Sequence, residues 1–110
     1  MKLANETVNI RGLHPVMRQA MKVAEKLWID HGREEGITIT AGLNGVHSAA
    51  SWHYSGCAVD IRNRYWDENK RKIVHHALKL ALPDYDIILH DTHVHMEPGN
   101  ELARKFNLMV

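Results

Sequence analysis

The chain has little cysteine, no long apolar run and no concentration of charge of one sign. Cys57 is the only cysteine among 110 residues, which excludes an intrachain disulfide and a cysteine-rich zinc finger. No stretch approaches the roughly 20 apolar residues of a membrane-spanning helix. The formal net charge is +1 and no basic run stands out, which argues against a nucleic-acid binder that depends on phosphate contacts. We therefore expect a globular protein with no membrane span and no nucleic-acid partner.

The beginning of the sequence also lacks the apolar core of about 7–15 residues that a secretion signal needs. We expect no signal peptide and synthesis in a cytoplasm, so that any passage across a membrane depends on another factor. The length suits one compact domain, residues 1–110, and leaves no room for a second.

Histidine, in contrast, is abundant, with nine residues scattered along the chain. Because histidine is the commonest metal ligand and the usual acid or base near neutral pH, this excess predicts a functional site. Four of the nine fall in or near predicted helices, where capping or solvated positions are expected: His14, His31, His75 and His76. His47 and His90 fall in predicted loops near the candidate site, and the sequence assigns them no role.

Apolar spacing predicts three helices and four strands. The first helix runs from Leu13 to Ile29, the second follows a cap at Asp67 and ends before Pro83, and the run ELARKF forms a short third helix. Residues 44–54, rich in small residues, are predicted to be a loop. The strands are predicted at residues 37–41, 56–61, 85–89 and 93–96. This order predicts an α+β domain, with a small antiparallel sheet and helices packed on one side.

Alternation along the strand at residues 56–61 separates polar from apolar positions. Asp60 shares its face with Ala58, while Cys57, Val59 and Ile61 share the other face. A carboxylate among apolar neighbours is costly unless it is paired, hydrogen-bonded or bound to a metal. Cys57, opposite Asp60, is expected to be a small core residue rather than a nucleophile or ligand.

Two strands of one sheet can bring several of these polar side chains to a common point. His93 and His95 share a face of the last strand, and His53 precedes Asp60 by seven residues. Two histidines and one carboxylate form a recognised catalytic zinc set with one position open. From spacing alone either late histidine can be the ligand, and a metal-free polar network remains an alternative.

A longer motif narrows these alternatives. Residues 51–60, SWHYSGCAVD, contain Ser51, His53, Gly56, Ala58 and Asp60 in the pattern S-x-H-x-x-G-x-A-x-D. This pattern resembles the signature of the zinc peptidases that cut bacterial cell-wall peptides, the D-Ala-D-Ala carboxypeptidase and L-alanyl-D-glutamate peptidase family, which includes many phage endolysins. The later H-V-H run is similar to the H-x-H element of one branch. The resemblance covers about residues 38 to 97 and implies a small α+β fold shared with the signalling domain of Hedgehog.

The resemblance also implies roles for individual residues. His53, Asp60 and His95 would hold one zinc ion per chain, and His93 would stand beside the metal as the catalytic histidine. Other branches of the family place a carboxylate three residues before the last ligand, where this chain has Thr92. The chain therefore resembles the histidine branch.

Further residues are candidates for substrate binding or for supporting the ligands. Family members often carry an arginine before the first motif, and residues 41–47 contain none. Arg62 and Arg64 are candidates to replace it in clamping a substrate carboxylate. Asp91 or Glu97 is a candidate to orient a ligand histidine through its other ring nitrogen. The remaining candidates flank the first predicted zinc ligand: Ser51, Trp52 and Tyr54.

The resemblance implies a zinc peptidase that hydrolyses peptidoglycan stem peptides. We expect a monomeric phage lysis or virion-associated endopeptidase, acting on the bacterial cell wall after release or in the virion. A D-Ala-D-Ala carboxypeptidase or dipeptidase is the alternative within this class. A non-catalytic binding module stabilised by zinc is an alternative of another class. His93 argues against that module, because a purely structural site has no use for a histidine beside an open metal position.

Overall fold

The computed structural model describes residues 1–42 and 56–108. This part of the chain folds into an α+β domain, as predicted. The helices are α1 (Pro15–Asp30), α2 (Glu68–Ala81) and α3 (Asn100–Lys105). The strands are β1 (Lys2–Leu3), β2 (Thr38–Ala41), β3 (Val59–Arg62), β4 (Tyr85–Leu89) and β5 (His93–Pro98). The predicted loop at residues 44–54 lies outside the described residues.

The five strands form one mixed sheet in the order β1-β2-β3-β5-β4. Strand β1 pairs with β2 in parallel, and the other neighbours are antiparallel. The prediction of a wholly antiparallel sheet is therefore wrong at this edge. Strand β1 is two residues long, too short to show any periodicity, and it is held by backbone bonds from Lys2 to Ile37 and from Ala4 to Ile39.

Helix α2 begins after its predicted cap, Asp67, whereas α1 begins two residues later than predicted, with His14 as its cap. The Nδ1 atom of His14 accepts a hydrogen bond from the backbone N–H of Val16 at 3.1 Å. Asp67 Oδ1 accepts from the backbone N–H of Lys70 at 2.8 Å. Helix α1 ends before Gly32, whose φ of 98° is left-handed and suits a helix stop. Within the two described ranges, the structure contains no helix with the length and apolar character needed to cross a membrane.

Strand β3 begins three residues later than predicted, at Val59. Gly56 has a φ of 77°, a left-handed conformation that a strand residue does not adopt. Its backbone oxygen accepts a hydrogen bond from His14 N at 3.0 Å, and a Cβ atom there would lie 2.8 Å from the backbone oxygen of Gly12. The motif glycine therefore forms a tight turn against the start of α1 rather than part of the strand.

Alternate residues of the central strands form the core. The strand side chains that face the helices are Val59, Ile61, Ile87, Val94 and Met96, and all are buried. The helix side chains buried in the same cluster include Met17, Ala20, Trp28, Val74 and Leu78. Burial of one such side chain contributes about 1.5–3 kcal/mol. With α1 and α2 on this face, the other face of the central strands carries the polar side chains of Asp60 and His95.

Trp28 fixes the end of β3 relative to α1. Its side chain is fully buried, and its Nε1–H donates to the backbone oxygen of Arg62 at 3.1 Å and lies 2.9 Å from the hydroxyl of Tyr65. The Tyr65 hydroxyl also donates to Arg62 O at 3.0 Å. These bonds hold the strand that carries Asp60.

Candidate metal and catalytic site

The register of β3 and β5 brings the candidate site residues together. In this antiparallel pair Asp60 lies directly opposite His95, and Arg62 lies opposite His93. All four side chains belong to the sheet face that points away from α1 and α2, because Val59, Ile61, Val94 and Met96 occupy the buried face.

His95 lies between two carboxylates. Its Nδ1 atom is 2.8 Å from Asp60 Oδ1, and its Nε2 atom is 2.8 Å from Glu97 Oε1. The side chains of Asp60, His95 and Glu97 are only 14%, 17% and 19% exposed. Strand β5 extends to Pro98, two residues further than predicted, and this places Glu97 beside His95.

The carboxylates change the proton affinity of the His95 ring. Burial lowers the pKa of His95, but the hydrogen bonds and negative charges of Asp60 and Glu97 outweigh burial and raise the pKa above its ordinary 6.5. An imidazole donates from both nitrogens only when it is protonated. Without a metal, the arrangement therefore favours a cationic His95 between two acceptors.

The same arrangement fits a zinc ligand. Loss of the Nδ1 proton leaves a nitrogen lone pair beside Asp60 Oδ1, and imidazole nitrogen and carboxylate oxygen are both zinc donors. The Nε2–H group can still donate to Glu97, the usual support for a metal-bound histidine. Within residues 1–42 and 56–108, no three potential ligands are grouped as a metal site. The third implied ligand, His53, lies outside the described residues.

His93 lies beside this pair and is more accessible. Its Nε2 atom is 3.8 Å from Asp60 Oδ2, and its side chain is 30% exposed. Its Nδ1 atom is 3.0 Å from Thr92 Oγ1. The ring of His90 stacks on the His93 ring with centroids 4.7 Å apart and an interplanar angle of 28°. His93 is thus close to Asp60 without occupying the position of His95.

Two residues at this site were missed by the sequence reasoning. The sequence assigns His90 no role and contains no signal that marks Asn63. Asn63 is 1% exposed; its backbone N–H donates to Thr92 O at 3.1 Å, and its Nδ2 donates to His90 O at 3.5 Å. The only sequence signal for His90 was its position three residues before His93, across a short turn.

The other candidates occupy different positions. Arg62 is half-buried on the site face, and its guanidinium has no ion pair or hydrogen bond among the described residues. Arg64 and Asp91 are exposed, and Asp91 lies in the β4–β5 turn rather than against His95. Cys57 is buried, as expected for a small core residue. Three candidates and one unassigned histidine lie outside the described residues: Ser51, Trp52, Tyr54 and His47.

Comparison of the chain with known protein families found no matching family model, and comparison with curated proteins found no match.

Proposed function

We propose that this protein is a zinc-dependent peptidase that hydrolyses peptidoglycan stem peptides, with one zinc ion per chain and a fold related to the Hedgehog signalling domain. The main support is the His95 arrangement, in which Nδ1 lies 2.8 Å from Asp60 and Nε2 lies 2.8 Å from Glu97. A histidine with one carboxylate as fellow ligand and another as outer partner is typical of zinc centres. The S-x-H-x-x-G-x-A-x-D motif supports the choice of substrate class.

In this proposal His53, Asp60 and His95 hold the metal. Bound zinc supplies water activation near neutral pH and polarisation of the scissile carbonyl. Glu97 fixes the orientation of the His95 ring and the nitrogen that carries its proton. His93, 3.8 Å from Asp60 Oδ2, accepts or returns a proton as the peptide bond breaks.

Arg62 is the proposed anchor for a carboxylate of the substrate. It lies opposite His93 in the β3–β5 pair, and its guanidinium has no ion pair with the described residues. Guanidinium groups bind carboxylates through two parallel hydrogen bonds. This position would hold the peptide beside the catalytic histidine and compensate for the absence of an arginine at residues 41–47.

The proposed activity is that of a monomeric phage lysis or virion-associated endopeptidase, which acts on the cell wall after leaving the cytoplasm in which it is made. A carboxypeptidase acting on terminal D-Ala-D-Ala is the alternative, and a substrate carboxylate near Arg62 suits both. Mass spectrometry of digested peptidoglycan separates them. Fragments cut after L-alanine support the endopeptidase, and release of terminal D-alanine alone supports the carboxypeptidase.

The test of the zinc peptidase itself combines metal analysis with hydrolysis. We expect about one zinc per chain, hydrolysis of purified peptidoglycan, loss of hydrolysis with 1,10-phenanthroline, and recovery when zinc is restored. His76→Ala is a suitable control, because His76 is exposed on α2, a helix on the opposite face of the sheet from the site. Zinc without hydrolysis would favour the binding module, and purified protein that binds no zinc would exclude both readings.

A further inference from the structure

The ring of His93 stacks on the ring of His90, a residue outside the S-x-H-x-x-G-x-A-x-D motif and the H-x-H element. His90 and His93 stack with centroids 4.7 Å apart at 28°, within the range of favourable ring pairs. The final torsion of a histidine side chain has a broad energy minimum. A neighbouring ring therefore restricts the plane of the imidazole from its face, in addition to the contacts of its nitrogens with Thr92 Oγ1 and Asp60 Oδ2.

The position of His90 is set by the backbone of the β4–β5 turn. His90 N donates to His93 O at 2.9 Å, which closes the turn, and Asn63 N donates to Thr92 O at 3.1 Å. Asn63 Nδ2 adds a longer contact to His90 O at 3.5 Å. Because Asn63 is buried and follows β3, it ties the turn to the strand that carries Asp60.

We propose that His90 is a positioning residue, which fixes the imidazole plane of His93 beside Asp60 through ring stacking on a turn anchored by Asn63. The catalytic part of this inference rests on the proposed peptidase function. The claim that the His90 ring holds the His93 ring does not depend on the peptidase function. The role requires a flat ring at residue 90, and it does not require that ring to ionise.

Two substitutions distinguish the flat shape of the His90 ring from its ability to ionise and to form hydrogen bonds. His90→Phe keeps a flat aromatic ring, and His90→Ala removes it; His76→Ala, on the exposed surface of α2, is the matched control. We expect kcat on a purified stem peptide to fall about 10- to 100-fold in His90→Ala, the scale for a misplaced catalytic group. KM should change little, and His90→Phe should recover most of kcat.

A second measurement uses the metal-free protein. The carbon-bound ring protons of His93, assigned with a His93→Gln variant, should be shifted upfield by the His90 ring in NMR spectra of the wild type. We expect this shift to be kept in His90→Phe and His76→Ala and lost in His90→Ala.

The kinetic and NMR measurements allow the proposed function and the role of His90 to be rejected independently. If the wild type hydrolyses no stem peptide, the proposed function fails, and the ring shifts alone still decide whether His90 holds His93. Unchanged His93 ring shifts in His90→Ala would overturn the inference. So would a His90→Phe variant as inactive as His90→Ala, because ionisation or hydrogen bonding of His90 would then be required instead.

Discussion

The two faces of the β3–β5 pair have opposite character, although their residues alternate along the same two strands. On one face Ile61 and Val94 are opposite each other and buried. On the other face Asp60 and His95 are opposite each other and joined by a 2.8 Å contact. The pleat of a strand thus separates the residues that stabilise the domain from the residues proposed to act.

The site is built on an inner strand whose end is tied to α1. Strand β3 lies between β2 and β5, and its end is held by Trp28 and Tyr65 through Arg62 O. Catalytic geometry benefits from such support, because small displacements reduce the rate strongly. Substitutions on the two faces should therefore have different consequences.

The largest effects on zinc binding and hydrolysis are expected from substitutions of His93 and His95. His95→Ala should remove one metal ligand, so that zinc affinity falls sharply and some fold stability is lost with the metal. His93→Ala should keep zinc while hydrolysis falls about 10²–10⁴-fold, the scale for a lost acid or base. Zinc content and turnover of both variants test this pair. Loss of zinc in the His93 variant, with retention in the His95 variant, would reverse the two roles.

The next largest effect is expected on the free energy of unfolding, from a substitution on the buried face of β3. Ile61 is fully buried, so Ile61→Ala should lower the free energy of unfolding by about 2–5 kcal/mol. The turnover per folded, zinc-loaded molecule should stay close to the wild type. Arg62→Ala, the next residue on the opposite face, should change the free energy of unfolding by less than about 1 kcal/mol. Urea denaturation measures both, and equal losses would contradict the separation of the two faces.

Substitutions of Glu97 test whether its carboxylate supports His95 in binding the metal. Glu97→Ala removes the carboxylate 2.8 Å from Nε2 and should weaken zinc binding about 10- to 100-fold. Glu97→Gln should lose less, because its amide oxygen can still accept the Nε2 proton. Competition with a chromogenic chelator measures the affinities. Wild-type affinity in Glu97→Ala would mean that Glu97 does not support the metal.

The smallest expected effect is a pH dependence of the free energy of unfolding, caused by His95 on the polar face. In the metal-free protein the pKa of His95 is raised above 6.5, so the native state binds this proton more tightly than the unfolded chain. The resulting stabilisation should be complete below about pH 6.5, the unfolded value, and lost as the pH rises through the folded pKa. The stability difference between wild type and His95→Gln should therefore shrink from pH 6 to pH 9. The Ile61→Ala difference serves as the reference, because no proton is involved, and a His95 difference that grows with pH would contradict the assignment.

Features that depend on local spacing could be predicted from the sequence alone. The apolar period of α1, the Asp67 cap of α2, and the faces of β3 and β5 all follow from residues close together in the chain. The same spacing predicted that Asp60 would lie opposite the buried face and that His93 and His95 would lie together.

Features that depend on the register between distant segments could not be predicted in this way, because they arise only when the strands pack together. The parallel pairing of β1 with β2, the placing of Asp60 opposite His95, and the choice of Glu97 over Asp91 as the partner of His95 all require the strands to be aligned. The contacts of Asn63 and His90 likewise depend on how the β4–β5 turn meets the end of β3. A shift of one residue in the β3–β5 pair would exchange the two faces of a strand, and only the packed core and the backbone bonds between strands fix that alignment.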